Sequence, residues 1–269
     1  MQKKDKAQIV YFSHGGGPLP ILGDPSHDAM NEFMKKLPGI LNRPEAILVI
    51  SAHWEENIAT VQSGAWPPML YDYYGFPEQA YKIKYPAPGN PELAEKICDV
   101  LAMAGVGCMI NEKRGFDHGL FIPLKMMYPE ADIPSMQISI LHSLDAKAHI
   151  ELGRALQPLL DENILIIGSG FSFHNLRAFS FSDMNKNAVD ERNDAFQDWL
   201  KDTIAGEHTQ AEREQMLIDW ESAPYARYCH PREDHLLPLH VCTALAGDGG
   251  KVVFDDYIAG KRALAFLWA

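Results

Sequence analysis

Three short and almost uninterrupted apolar runs constrain the fold of this 269-residue chain most strongly. They span residues 8–12, 46–50 and 164–167, and each leads through serine and small or aromatic residues to a histidine, namely His14, His53 and His174. Apolar runs without alternation are typical of strands that are buried on both faces of a largely parallel sheet. The carboxyl ends of such strands open on one edge of the sheet, where ligands bind. The three imidazoles can therefore meet at one point.

The rest of the chain alternates predicted helices with predicted strands. Helices are predicted after Ser26 as N-cap, after Asn90 as N-cap, and over residues 145–160, 187–204, 209–220 and 235–246. Further strands are predicted over residues 58–62, 106–110, 135–141, 252–257 and 263–268. This alternation predicts an α/β fold, a three-layer αβα sandwich whose central sheet is mixed and largely parallel.

Length and composition set the broad class of the protein. With 269 residues and 46% apolar content, the chain can bury a sizeable core, and we expect one domain over residues 1–269. A net charge of −12 without any Lys/Arg block disfavours nucleic-acid and anionic-membrane surfaces as partners. No signal peptide and no membrane-spanning apolar stretch is recognisable, so we expect a cytoplasmic protein. Its cysteines have no zinc-site or disulfide spacing and are expected to be reduced: Cys98, Cys108, Cys229 and Cys242.

Histidines at strand ends make a metal centre the first functional hypothesis, because neutral imidazole is the commonest protein ligand for zinc, iron and copper. The pattern alone does not exclude His142, which also follows an apolar run, at 136–141. His235 and His240 would lie on different helix faces, so at most one of the two should enter the same site. Three other histidines lie in polar helix or cap contexts and are predicted to be solvated: His27, His149 and His208.

Two loops add candidates of a different kind. His118 lies in the segment Arg114–Gly119 between two glycines and next to Asp117, a context typical of a loop that positions an acid/base group. The segment 63–91 holds six prolines and three glycines among many aromatics, so it is predicted to be a functional loop. Its aromatic side chains are candidates for a pocket wall, with core or lid packing as the alternative: Tyr71, Tyr73, Tyr74 and Phe76.

Seven short motifs occur along the chain in a distinctive order. They are SHGGGP at 13–18, SAHW at 51–54, YPAPG at 85–89, GFDHG at 115–119, YPEADIP at 128–134, HNL at 174–176 and HLLPL at 235–239. In this order and spacing they resemble the class III extradiol ring-cleavage dioxygenases, in the branch of DOPA 4,5-dioxygenase type. The resemblance covers nearly the whole chain and is weakest over residues 179–231. His142 has no counterpart in this motif set.

The resemblance implies a non-haem metal enzyme of αβα architecture that opens a catechol ring next to its hydroxyls with O₂ and needs no organic cofactor. By motif, three histidines correspond to metal-binding positions and one to an acid/base residue: His14, His53 and His235, with His118 as the acid/base. The position of His174 is described either as a ligand or as an acid/base residue, and both roles stay open.

The identity of the metal also stays open, between Fe(II) and Zn(II). Iron sites of the wider superfamily commonly hold two histidines and a carboxylate, whereas the third position here is His235, with Glu233 and Asp234 adjacent. A histidine-rich site also binds zinc well.

Taken with the resemblance, the residues predict an extradiol dioxygenase that acts on a substituted, DOPA-like catechol. A catechol binds a metal with both oxygens only after it has lost a proton, which requires a nearby base and a Lewis acid. The expected partners are a small aromatic diol and O₂, and the chain is expected to be a monomer or a homodimer. Two alternatives stay open: a zinc-dependent hydrolase on the same histidines, and a non-catalytic binding member of the superfamily.

Overall fold

The computed structural model describes residues 6–179 and 189–269. Within these residues the strands are β1 (Gln8–Ser13), β2 (Ala46–Glu56), β3 (Ala59–Gln62), β4 (Cys108–Asn111), β5 (Ser135–Leu141), β6 (Ile164–Gly170), β7 (Lys251–Ile258) and β8 (Lys261–Trp268). The α-helices of the same residues are α1 (Leu19–Leu22), α2 (Asp28–Lys36), α3 (Pro91–Met103), α4 (His118–Met127), α5 (Ala146–Ala155), α6 (Glu191–Ala205), α7 (Gln210–Ile218), α8 (Ala226–Cys229) and α9 (Leu237–Ala246).

The strands form one sheet in the order β4-β3-β5-β2-β6-β1-β8-β7. Its centre is parallel, because β2 pairs in parallel with β5 and β6, and β6 pairs in parallel with β1. Antiparallel pairs flank this centre, at β3–β5 on one side and at β1–β8 and β7–β8 on the other. The predicted mixed, largely parallel sheet is confirmed.

Helices cover both faces of the sheet. Helix α4 contacts β2 and β6 and packs against α2, whereas α9 contacts β1, β2 and β6 and packs against α5 and α7. The apolar runs of the strands between these layers are buried, as their unbroken apolar composition predicted. The predicted three-layer αβα sandwich is confirmed.

Most predicted elements are present, with shifted ends. Asn90 caps α3 as predicted, because its Oδ1 accepts from the amide of Leu93 at 3.0 Å. The prediction of Ser26 as the cap of α2 is wrong, since Ser26 lies in a 3-10 turn that Asp24 caps. The helix predicted over 145–160 ends at Ala155 and continues as a 3-10 turn. The helix predicted from residue 187 is described from Glu191, and its first two predicted residues lie outside the described ranges.

A bulge in β2 shapes the edge where the histidines meet. Ser51 of β2 pairs with Ser139 of β5, and Glu55 pairs with the next residue of β5, Ile140. Residues 52–54 of β2 are therefore extra residues, without counterparts in the register of β5. A bulge bends its strand and re-aims the local side chains. His53 therefore lies within the bulged part of β2 and not after the end of the strand.

The cysteines correct one prediction. Cys98 and Cys108 form a disulfide that joins α3 to β4, so the expectation of reduced thiols is wrong for this pair. The sequence spacing gave no sign of it, because the packing of α3 against β4 brings the two cysteines together. Cys229 and Cys242 are free and buried.

None of the helices in the described residues has the length and apolar composition that a membrane span requires. The expected cytoplasmic location stays a prediction.

Candidate metal centre

Besides His27, five histidines from separate segments line one cavity of about 460 Å³ at the carboxyl edge of the parallel strands. They lie after β1, in the bulge of β2, at the first residue of α4, in the loop after β6 and just before α9: His14, His53, His118, His174 and His235. Two details differ from the sequence prediction, since His118 opens a helix and not a loop, and α9 begins two residues after His235.

Three of these imidazoles converge through their Nε2 atoms. The Nε2 atom of His53 lies 2.9 Å from Nε2 of His14 and 3.2 Å from Nε2 of His235. A neutral imidazole carries one N–H, so hydrogen bonding alone cannot satisfy two such contacts at one nitrogen. Nitrogens that share a zinc-like ion at about 2.0–2.1 Å must lie within about 4.2 Å of each other, which these separations satisfy. The cluster can hold a metal ion.

The same cavity offers other combinations of ligand atoms. In each of two sets among the described residues, one ligand atom from each residue lies within 4.8 Å of those from the other two: His14, His53 and His118, and His174, Asp234 and His235. His118 is therefore a rival to His235 as the third ligand on distance alone. The hydrogen bonds around each ring show which of its nitrogens is free.

The tautomer of His14 follows from its contact with Ser169. The Ser169 hydroxyl donates to the carbonyl oxygen of Gly119 at 2.5 Å, so its oxygen accepts from Nδ1 of His14 at 2.9 Å. His14 therefore carries its proton on Nδ1 and leaves the Nε2 lone pair free for a metal. Ser169 was not among the predicted site residues, although its position at the end of an apolar strand is the same signal that marked the histidines.

The segment that carries His235 is held through its backbone. The carbonyl oxygen of His235 accepts from the hydroxyl of Tyr11 at 3.1 Å and from the amide of Phe171 at 3.0 Å. A Cβ atom at Gly170 would lie 2.1 Å from this oxygen, so only glycine allows the approach. Oδ1 of Asp234 accepts from the backbone amide of His235 at 2.9 Å and lies 3.3 Å from its Nδ1.

Burial keeps the three converging imidazoles neutral. Burial is the main cause that lowers the pKa values of His14 and His53 well below the ordinary value, and nearby histidines add to it. For His235, burial and then the neighbouring His174 lower the pKa to about 4. Neutral imidazoles keep the lone pair that a metal ligand needs, whereas protonated ones would repel a cation.

His118 is held by a carboxylate that sequence reasoning missed. Oδ1 of Asp72 accepts from the amide of His118 at 3.0 Å and from its Nδ1 at 2.8 Å. Burial raises the pKa of Asp72, but the hydrogen bonds from His118 outweigh it and hold that pKa below its usual value, so Asp72 is ionised. This contact places the proton of a neutral His118 on Nδ1 and leaves Nε2 as the basic atom. Asp72 is the acidic residue among the aromatic residues of the segment 71–74, and this position was the sequence signal that could have identified it.

His174 stacks on His235 and does not converge with it. The two ring centroids lie 3.4 Å apart and the ring planes are inclined by 18°. A metal bound to imidazole lies close to the plane of the ring, and two nearly parallel planes do not meet within a metal–nitrogen bond of about 2.0–2.1 Å. Nδ1 of His174 lies 3.7 Å from Oδ1 of Asp234, whose Oδ2 accepts from Arg232 at 3.1 Å.

The aromatic loop forms part of the cavity wall. Tyr73, Tyr74 and Phe76 line the cavity, but Tyr71 does not. The Tyr71 hydroxyl donates to the carbonyl oxygen of Ile83 at 2.7 Å, and its ring packs edge-on against that of Tyr73, with centroids 6.1 Å apart. Tyr71 therefore supports the wall from behind.

Two histidines predicted to be solvated are fully buried. Nε2 of His27 accepts from the amide of Gly16 at 3.1 Å, and His27 lines the cavity. Nε2 of His149 accepts from the amide of Leu141 at 3.0 Å. Both rings are retained inside because they satisfy backbone amides that would otherwise lack a partner. His208 is half-buried.

His142 and His240, the two remaining histidine candidates, lie outside the histidine cluster. His142 is exposed, with its Nδ1 atom 3.1 Å from Oε2 of Glu55. His240 is buried, and its Nε2 donates to the carbonyl oxygen of Leu217 at 2.8 Å. Of the pair His235 and His240, the one that lines the cavity is His235.

Comparison with known proteins defines the class. The family model of the catalytic LigB subunit of aromatic ring-opening dioxygenase matches residues 9–261, and the chain belongs to this family. It is an enzyme of the extradiol, aromatic ring-opening class, which confirms the resemblance seen in the seven motifs.

Particular relatives extend over nearly the whole chain. It is 39% identical to dioxygenase tasH of Hapsidospora irregularis, over 97% of this chain and 85% of that protein. It is 38% identical to the 4,5-DOPA dioxygenase extradiol of Beta vulgaris, over 93% of this chain and 91% of that protein. The crystal structure of an uncharacterized protein from Escherichia coli K12 superposes with a TM-score of 0.78 at 28% identity, covering 97% of this chain and 99% of that one.

Proposed function

We propose that this enzyme opens the ring of a substituted catechol next to its hydroxyls, with O₂ as co-substrate, at the site formed by the clustered histidines. The observation that carries the proposal is the convergence of three neutral imidazoles in a cavity that aromatic side chains also line. Similarity to the 4,5-DOPA dioxygenase extradiol of Beta vulgaris supports DOPA as the type of catechol.

We assign one divalent metal ion to His14, His53 and His235. Their donor set fits such an ion, because burial keeps the rings neutral and the Ser169 contact leaves Nε2 of His14 free. Three imidazoles suit both Fe(II) and Zn(II), and the O₂ chemistry of the family favours Fe(II). When bound, Fe(II) supplies a Lewis acid for the catecholate and a route for electron transfer between ring and O₂.

His118 acts as the base that prepares the substrate. Its Nε2 atom takes a proton from a catechol hydroxyl, and Asp72 stabilises the imidazolium that results, since Oδ1 already accepts from Nδ1. A carboxylate acceptor on Nδ1 suits a metal ligand as well as a base, so the assignment of His118 as the base rests on its motif and is tested below. His174 serves as a second acid/base residue, because its ring is stacked parallel to His235 and cannot share the same ion with it.

Anaerobic reconstitution with Fe(II), followed by a screen of substituted catechols, tests the proposed activity. We expect O₂ uptake and a yellow ring-opened product in stoichiometric amounts. The zinc-loaded protein should give neither. Hydrolysis of ester or amide substrates by the zinc form, without O₂ uptake by the iron form, would favour the zinc hydrolase. Catechol binding without turnover in either form would favour a non-catalytic binding protein.

The His118→Ala variant separates the two roles of His118. If His118 is a base, the substitution should leave the metal content unchanged and lower turnover by about 10²–10⁴-fold, the usual contribution of general acid–base catalysis. His208→Ala is the matched control, because His208 does not line the cavity and pairs with Asp202 instead. Loss of metal from His118→Ala, with metal retained in His235→Ala, would make His118 the third ligand.

A further inference from the structure

We infer that Asp117, acting through Ser51 and Arg114, positions the proposed metal ligand His53 relative to the proposed base His118. Asp117, Ser51 and Arg114 do not line the cavity, so they act through His53 and do not contact a ligand. This inference rests on the proposed function, because it takes His53 as a ligand and His118 as the base. It follows from the hydrogen bonds that hold the backbone of His53.

The backbone amide of His53 is held by Ser51. Oγ of Ser51 accepts from this amide at 3.2 Å. The same hydroxyl donates to the carboxylate of Asp117, with Oγ 2.9 Å from Oδ1 and 3.0 Å from Oδ2. A hydroxyl has one proton to donate and two lone pairs that accept, so both contacts form at once. Ser51 therefore connects the amide of His53 to Asp117.

The backbone carbonyl of His53 is held by Arg114. Nη2 of Arg114 donates to this carbonyl oxygen at 3.2 Å and to Oδ2 of Asp117 at 2.9 Å. The guanidinium also lies over the ring of Trp54, with its Cζ atom 4.9 Å from the ring centroid, where a cation is attracted to the aromatic face. Both polar backbone groups of His53 thus connect to one carboxylate, one through a hydroxyl and the other through a guanidinium.

His53 needs this support because it lies in the bulge of β2. In the register of β2 with β5 and β6, His53 has no paired residue. A bulge interrupts the ladder of hydrogen bonds that fixes a regular strand. Ser51 and Arg114 supply the partners that the ladder does not provide at this position, and Asp117 holds both of them.

Asp117 also determines where the proposed base begins its helix. It is fully buried and lies immediately before His118, the first residue of α4. Its amide lies 3.3 Å from Oε1 of Gln137, which accepts from it. The ring centroids of His53 and His118 lie 3.8 Å apart. Proton transfer from a bound catechol depends on this spacing, and a displacement of about 1 Å can lower a rate by about 100-fold.

Close packing at Gly119 leaves these groups little freedom to move. A Cβ atom at Gly119 would lie 2.9 Å from Oγ of Ser51, 3.2 Å from Oδ1 of Asp117 and 3.3 Å from Cδ2 of His53. Packed interiors transmit a displacement of one group to its neighbours. A change at Ser51 or Asp117 should therefore reach the ring of His53.

A matched pair of serine variants tests the inference. Ser51 and Ser139 pair in the register of β2 and β5, both are fully buried, and each accepts from one backbone amide, of His53 and Thr60 respectively. Both Ser51→Ala and Ser139→Ala should therefore lower the urea midpoint of the metal-free protein. Only Ser51→Ala should weaken Zn(II) binding, by about 10–100-fold, as measured by competition with a chelator.

The kinetics of the same two variants report the spacing between ligand and base. At saturating Fe(II), Ser51→Ala should lower kcat by about tenfold or more with a smaller change in KM, because the catechol still binds but meets a displaced base. Ser139→Ala should keep the kcat of the parent enzyme.

Arginine variants provide a second test that stands if Ser51→Ala does not fold. Arg114→Gln removes the cation beside the buried Asp117, and Arg154→Gln removes the cation beside the buried Glu214, which does not line the cavity. Only Arg114→Gln should weaken Zn(II) binding. Arg114→Lys, which keeps the charge, should restore part of the affinity.

The outcomes separate the inference from the proposed function. Equal Zn(II) affinity within either folded pair of variants would overturn the inference, as would a parent protein that binds no metal. The affinity is measured without a catechol. Selective weakening in Ser51→Ala and Arg114→Gln, in a parent enzyme that opens no catechol ring, would therefore support the positioning of His53 and overturn the proposed function.

Discussion

One carboxylate oxygen, Oδ1 of Asp72, accepts hydrogen bonds from both the backbone amide and the ring Nδ1 of His118. The second oxygen of Asp72 lies 3.6 Å from Nδ1 of His53. Asp72 thus links the proposed base to one of the proposed metal ligands. Its loop is far from both histidines in sequence, so the long segment after β3 contributes to the chemistry as well as to the cavity wall.

Asp72→Asn should lower turnover by about 10–100-fold, the usual effect of removing a carboxylate that supports a functional histidine. An amide keeps the shape of the side chain but removes the negative charge that stabilises the imidazolium. The metal content should stay at the parent level, as measured by elemental analysis. Asp99→Asn, on the exposed face of α3, is the matched control. Parent-like turnover in Asp72→Asn would show that the contact serves only local structure.

Ser169→Ala should weaken metal binding by about 10–100-fold, because Nδ1 of His14 loses the acceptor that fixes its tautomer. Competition with a chelator of known affinity measures this change. Ser143→Ala, in the exposed turn after β5, is the control. If the two variants retain metal equally well, the Ser169 hydroxyl does not orient His14.

Tyr71 and Tyr74 should respond differently to substitution. Tyr74→Ala should raise the KM for a catechol at unchanged metal content, because its ring is 92% exposed at the cavity mouth and little packing is lost. Tyr71→Phe should leave KM unchanged and lower the free energy of unfolding by about 0.5–1.5 kcal/mol, through loss of the bond to Ile83. Steady-state kinetics and urea unfolding report the two effects. A raised KM in Tyr71→Phe alone would contradict this assignment.

Acid should destabilise the protein through buried histidines outside the site. Burial lowers the pKa of His240 to about 4 in the folded chain, against about 6.5 when unfolded. The unfolded state then binds the proton more tightly, so the contribution of His240 is complete above about pH 6.5 and is lost as the pH falls towards about 4. This difference corresponds to about 3 kcal/mol. Urea unfolding at several pH values should show a shallower pH dependence in His240→Gln. An equal slope in both proteins would refute the assignment.

Much of the architecture was determined by local sequence patterns. The apolar runs that became β1, β2 and β6 were identified correctly, because strands buried on both faces need unbroken apolar composition. The position of a residue at the carboxyl end of a parallel strand is likewise a local property. His14 follows β1 and His53 lies in the bulge near the carboxyl end of β2, and their Nε2 atoms lie 2.9 Å apart, as the sequence predicts.

Tertiary structure alone decided the features that depend on partners distant in sequence. The pairing of Asp72 with His118 and of Cys98 with Cys108 arises where separate elements pack together. The polar sequence around His27 predicted a solvated side chain. His27 is buried instead, because its Nε2 accepts a hydrogen bond from the amide of Gly16. The sequence shows which polar groups the chain contains. The free energy of burying each group depends on the atoms that the fold places against it. That is why the histidines could be identified from sequence, whereas their pairing with particular carboxylates and hydroxyls could not.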